Sequence, residues 1–435
     1  MLSRRALLSL LAAGGTAACG SRPAETTAGT MPQAATGLAT GSAGAPAGSS
    51  GTTTTSSGAG SAPAALTPSS PTTHTLVVVF QRFAADWINL LVPYGDPDYV
   101  VQRPNLKIGN PLPLDSFYGL HPGLATLQAL YQAGRLGFVA ATGWVPLEAR
   151  DRSHFFAQSI AEAGARSGVS DGWLGRVMNR DADPAAAWAA LAAENAVPAS
   201  FQGYPGAIAV RNFADYYHGS VMGDAATALI ETLAGLAGAP GDNVRKLAEG
   251  MRLLQAAPPP EPTVSYPATS LGQGLKVAAQ AIRGGLAPRV ISVSSEDDWD
   301  THVNQASRHN AALPQFAGAL RAFHDDLGAL MDDVTLVTMT EFGRKAKENL
   351  GGTDHGTASS MLLMGGGIAG GQVYGQWPGL ASAALYQGED LEPTTDFRSV
   401  LGELLAGRMG VSTAALEEIF PGGYAAPGYW RGFLR

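Results

Sequence analysis

The stretch VTLVTMTEFGRKAKENLGGTDHGTASSMLLMGGGIAGG, Val334 to Gly371, decides the fold class of this chain. Its first seven residues are apolar or β-branched, a length and composition that suit a buried strand of a parallel sheet better than a helix. A polar loop follows abruptly, then a second apolar run, Ser360 to Met364, which ends in glycines. Glu341, Arg344, Glu348, Asn349, Asp354 and His355 therefore fall just past the carboxyl end of a strand. Open α/β sheets carry their chemistry there. Asp354 and His355 stand between Gly352 and Gly356, an oxygen and an imidazole donor on a backbone expected to turn tightly. Alone, such a pair more often marks a glycine-rich turn than a ligand site.

Working outward, three more runs read as buried strands: Thr75 to Phe80, Leu136 to Ala141 and Arg289 to Ser294. The first leads to Asp86, a residue equally suited to capping a turn. The third leads into Glu296-Asp297-Asp298-Trp299-Asp300-Thr301-His302, the densest grouping of carboxylates and histidine in the chain. Asp298 or Asp300 can share a cation with His302 if the loop bends; a solvated acidic loop is the alternative. Helical patterns cover Gly123 to Ala133, Ala225 to Leu236, Asn243 to Ala256, Gly272 to Ile282, Ala312 to Met331 and Asp396 to Ala406. Ser153 opens another helix, as a cap or as a nucleophile at a helix N-terminus where backbone N–H groups favour an anion. A hairpin is expected around Val373-Tyr374. Strands alternating with helices give an α/β fold with a mostly parallel central sheet and helices on both faces. Residues 74–435 form this domain, and 181–288, rich in Ala, Gly, Leu and Pro, are expected to be a helical covering.

The beginning of the chain is different. Arg4-Arg5 followed by the apolar run Ala6 to Ala13 reads as a twin-arginine export signal over residues 1–19, and the run is too short to span a membrane. Cys19 is the only cysteine, so an intramolecular disulfide is impossible. Its place after Thr16-Ala17-Ala18 resembles a lipoprotein cleavage site, which would make it a lipid anchor at the membrane or cell surface. Ordinary cleavage and release to the periplasm is the other outcome. Residues 20–73 are almost wholly Ser, Thr, Gly, Ala and Pro, too poor in apolar anchors to offset ordering entropy, and are expected to be a disordered linker. Formal net charge is -8 with charged residues at 15%, and no basic cluster suits nucleic acid.

Several motifs together resemble the twin-arginine-exported bacterial proteins of domain-of-unknown-function family 1501. They are Val92-Pro93-Tyr94-Gly95-Asp96, Arg103-Pro104, Leu120-His121-Pro122, Ser153-His154-Phe155 and Gly172-Trp173-Leu174-Gly175-Arg176. They continue with Trp299-Asp300-Thr301-His302, Glu341-Phe342-Gly343-Arg344, Gly352-Thr353-Asp354-His355-Gly356 and Asp396-Phe397-Arg398. The order of ligand-type residues is also similar to that of the alkaline phosphatase superfamily. That resemblance implies a three-layer alkaline-phosphatase-like sandwich and a metal-dependent hydrolase of phosphate or related esters.

Carried over residue by residue, the resemblance makes Asp86, Asp354 and His355 ligands of one divalent ion (zinc, manganese, calcium or magnesium). Ser153 becomes the nucleophile. Asp300 or Asp298, with His302, would serve a second ion, and Arg344 would neutralise the transferred group. Two departures stand out. No histidine follows His355, where the superfamily usually supplies another ligand, which leaves His154 or His121 to substitute or the second metal absent. Phe83, Ala84 and Trp87 surround Asp86 where glycines are usual. A formylglycine sulfatase is discounted, since the one cysteine lies in the export signal. The alternative is a catalytically degenerate binding or assembly protein on the same fold.

Overall fold

A computed structural model describes residues 74–145, 152–180, 187–214, 230, 232–236, 238–256 and 258–435. The expected signal, the linker, Cys19 and half of the helix expected over Ala225 to Leu236 lie outside the described residues. The core is a nine-stranded sheet: β1 (Thr75–Gln81), β2 (Leu136–Gly143), β3 (Ala190–Ala192), β4 (Ile208–Ala209), β5 (Val290–Ser295), β6 (Val334–Met339), β7 (Ser359–Gly365), β8 (Val373–Tyr374) and β9 (Thr395–Asp396). The spatial order is β8-β2-β7-β6-β1-β5-β3-β4, with β9 also on β2. β1 is central and parallel to both β5 and β6. Only β7 runs against its neighbours, β2 and β6, so the sheet is mixed and mostly parallel, as expected.

Side-chain alternation along these strands builds two cores. Leu76, Val78 and Phe80 of β1 join one apolar cluster, and Val77 and Val79 join the other. The same split recurs in β7, where Met361 and Leu363 face one side and Leu362 and Met364 the other. A strand apolar on both faces needs cover on both. One face receives α1 (Ala125–Gln132), α5 (Ser270–Arg283) and α6 (Gln305–Leu327). The other receives α3 (Trp173–Met178), α7 (Phe397–Met409) and α8 (Thr413–Ile419). With α2 (His154–Ala163) and α4 (Ala239–Ala256), these are the α-helices of more than five residues among the described residues.

Three expectations need revision. Val373-Tyr374 forms no hairpin; it lies parallel along β2, pairing with Phe138 and Val139. The 181–288 segment carries β3 and β4, which lengthen the sheet beyond β5, besides its helices. The helix before β6 begins at Gln305 rather than Ala312, because Pro314 is accommodated inside it. That early start matters, for its first turn places Gln305 beneath the strand ends, fully buried.

Candidate metal centre

Four parallel strands end on the same side of the sheet, and their loops meet. The loop after β2 delivers His154, that after β5 delivers Asp300 and His302, and that after β6 delivers His355; the loop after β1 brings Phe83 alongside. His154, Asp300 and His355 each offer a ligand atom, all within 4.8 Å of one another. His302 Nε2 lies 3.0 Å from Asp300 Oδ1 and 3.1 Å from His355 Nε2. His355 Nε2 is 3.2 Å from Asp300 Oδ1, and His154 Nε2 is 3.5 Å from Asp300 Oδ2.

The far nitrogen of each imidazole explains why these near nitrogens converge. His355 Nδ1 donates to the Arg152 carbonyl at 2.7 Å. His154 Nδ1 donates to Glu341 Oε1 at 2.8 Å, and His302 Nδ1 to Asp354 Oδ1 at 3.1 Å. A carbonyl or carboxylate only accepts, so the proton of each neutral ring sits on Nδ1 and Nε2 is left as a bare lone pair. Three lone pairs and a carboxylate then point at one another. His154 Nε2 is buried without a hydrogen-bond partner, an arrangement that costs free energy unless a cation or proton lies among the donors. The residues therefore fit a bound ion. Imidazole-rich sets with one carboxylate suit zinc or manganese, whereas calcium and magnesium prefer all-oxygen shells.

Electrostatics keep the acids ionised. Burial works to raise the Asp300 carboxyl, but Arg344 and the two neighbouring imidazoles outweigh it and hold the group down at about 2. Burial is likewise outweighed at Glu341 by His154 and Gln158, and at Asp354 by His302 and Asn349, so both stay below the usual carboxylate range. Burial pushes the His355 imidazole down, which favours the neutral, ligand-competent ring.

Three expected roles change. Asp86 lies outside this cluster: it is fully buried, with Arg103 Nη1 2.6 Å from Oδ2 and Gln305 Nε2 2.5 Å from the same oxygen. Arg103 Nη2 donates to Oδ1 at 3.1 Å, so both oxygens are engaged within the protein. Arg344 is fully buried too, donating to Asp300 Oδ1 at 2.7 Å and to Thr353, so its guanidinium is engaged within the protein behind Asp300. Asp354 orients His302 from behind. Asp298, the alternative to Asp300, is exposed and paired with Arg308. His121 is taken up elsewhere, its Nδ1 accepting from the Gly123 N–H. His154, by contrast, lies within the cluster. Ser153 occupies the N-cap of α2, exposed, between Arg152 and His154, which both touch the cluster.

Two features escaped the sequence reading. Glu341 lay in view at a strand end, but its role as the acceptor for His154 depends on a contact between residues distant in the chain. Gln305 carried no signal at all. Its Oε1 accepts from Thr301 and Thr353 hydroxyls at 2.9 and 2.8 Å while its amide holds Asp86, tying three site loops together.

No curated protein matches the chain. The family model described as "Protein of unknown function (DUF1501)" matches residues 143–420, which include every residue of the histidine cluster. By that match over more than half its length, the chain belongs to the DUF1501 family.

Proposed function

We propose that the protein is a metal-dependent hydrolase of phosphate or related esters, built on an alkaline-phosphatase-like arrangement, with Ser153 as the candidate nucleophile. The observation that carries this reading is the convergence of three bare Nε2 atoms on the Asp300 carboxylate, each ring fixed from behind by its own acceptor. An ion held there would act as a Lewis acid toward an ester oxygen and lower the pKa of a hydroxyl beside it. Accessibility supports a substrate role: the side chains of His302 and Asp300 are 43% and 36% exposed. Arg344 and Arg152 are both engaged, Arg152 with Asp390 at 3.1 Å, so the anionic part of a substrate is left to the ion itself. Export by the twin-arginine route, which carries folded proteins, fits a site that must be loaded before crossing a membrane. Among the described residues no helix is long and apolar enough to span one; a lipid on Cys19 is the attachment proposed here.

A second reading, a metal-binding protein without turnover, is favoured by the burial of Arg344 away from the opening. Elemental analysis decides the shared premise and an ester screen decides between them. Wild type is expected to hold zinc or manganese stoichiometrically, and His355→Ala to lose it. Wild type that stays metal-free after reconstitution would overturn both readings; metal without hydrolysis of any phosphate ester would leave only the second.

A further inference from the structure

Twelve large apolar side chains are exposed among the described residues, and five of them lie on the segments that carry the histidine cluster or touch it: Phe83, Phe155, Phe156, Val303 and Leu350. Phe155 and Phe156 follow His154 in the first turn of α2, 87% and 51% exposed. Val303 follows His302, and Leu350, 84% exposed, sits in a loop that Gln305 N–H holds through the Gly351 carbonyl. Phe83 meets His154 edge-on with ring centroids 5.5 Å apart.

Backbone geometry supplies an independent observation. Phe83 and Leu350 adopt φ of 77° and 51°, the left-handed region that bulky residues rarely enter. Leaving a large apolar side chain in water forgoes burial, and a left-handed backbone adds strain; both together at two loops of one site point to use of those side chains. The Phe83 conformation is also held in place: its N–H donates to Glu341 Oε1 at 2.8 Å, the oxygen that fixes His154. Phe83 is thus locked to the cluster rather than merely near it.

We infer that the ester taken by this site carries an aryl group, with Phe83 as the residue that grips it and the other four apolar side chains as its surround. This inference rests on the reading of the cluster as an ester-hydrolysing metal site, and specifies the group on the mouth side of the ester. Edge-on aromatic contact favours a ring over a small alkyl group at equal charge.

The test is calorimetric titration of the full-length, metal-loaded protein with phenylphosphonate and methylphosphonate, which bind without being hydrolysed. Wild type is expected to bind the phenyl compound about tenfold more tightly, the preference that burying a ring confers. In Phe83→Gly the preference should fall to about threefold or less with metal content unchanged, since glycine takes a positive φ without strain. A Phe155→Ser/Phe156→Ser variant should reduce it less. Equal affinities in wild type, no binding of either phosphonate, or a preference undiminished in Phe83→Gly would overturn the inference. The hydrolase reading is judged separately on phenyl phosphate: discrimination without turnover would remove it and leave the aryl preference standing.

Discussion

Glu341 is buried, yet it is the group on which His154 depends. Its Oε1 accepts from His154 Nδ1, from Gln158 Nε2 at 3.0 Å and from the Phe83 N–H. Replacing a carboxylate by an amide of the same shape would let an N–H face the imidazole and free the ring to turn. Glu341→Gln is therefore expected to weaken metal affinity about 10–100-fold without removing a ligand. Competition with a chelator of known affinity measures this, and near-wild-type affinity would count against the orienting role. His355→Ala removes a donor outright and should be far more severe. Asp354, one shell out behind His302, should resemble Glu341 rather than His355.

At the level of elements, the loop between β6 and β7 is fitted against the loop after β5 with no spare room. A Cβ on Gly352 would lie 2.2 Å from the His302 carbonyl, and on Gly356 2.4 Å from the Arg344 backbone. Neither glycine is needed for a left-handed turn; that conformation falls on Leu350 and Gly351 instead. The glycines flanking Asp354-His355 thus serve close backbone approach. Gly352→Ala should separate the two loops, draw His302 away from Asp354 and lower the thermal midpoint together with metal affinity; an unchanged midpoint would refute the packing argument. This is also where legibility in sequence is clearest. The long strands were readable because residues apolar on both faces leave an uninterrupted run, as in β1 from Leu76 to Phe80. The strands of two or three residues, β3, β4, β8 and β9, carry too few side chains to show a period. His302, Asp300 and His355 were legible as ligand-type residues at strand ends, but their partners were not. Asp86 looks identical in sequence whether it meets an ion or an arginine, and only the position of Arg103 after folding decides it.

For the whole molecule, the buried Asp86–Arg103 pair makes acid the natural denaturant. Burial works to raise the Asp86 carboxyl, but Arg103, with help from Gln305, outweighs it and holds the group below its ordinary value. A carboxyl whose folded pKa is depressed contributes stability that is complete above the unfolded pKa of about 4 and is lost as pH falls through the folded one. The free energy of unfolding should thus drop on acidification below about pH 5, and Asp86→Asn should flatten that dependence. Removing Arg103 instead leaves an unpaired buried carboxylate and should cost about 3–5 kcal/mol, measured by denaturant unfolding. If Asp86→Asn keeps the wild-type slope, the titration lies elsewhere.

The cluster's donor side chains come from three segments far apart in the chain, at His154, at Asp300 and His302, and at His355. An ion bound to all of them is a cross-link between loops that nothing covalent joins, in a chain whose single cysteine cannot form an internal disulfide. Closing long loops in this way restricts the unfolded chain as a disulfide does, but reversibly and in proportion to the free ion. At a hundredfold excess over the dissociation constant such an ion adds about 2.7 kcal/mol to stability. Chelation should accordingly lower the thermal midpoint of wild type and leave that of His355→Ala unmoved. The same staple would be absent wherever metal is scarce, so the folded lifetime of the protein would report the metal supply of its surroundings.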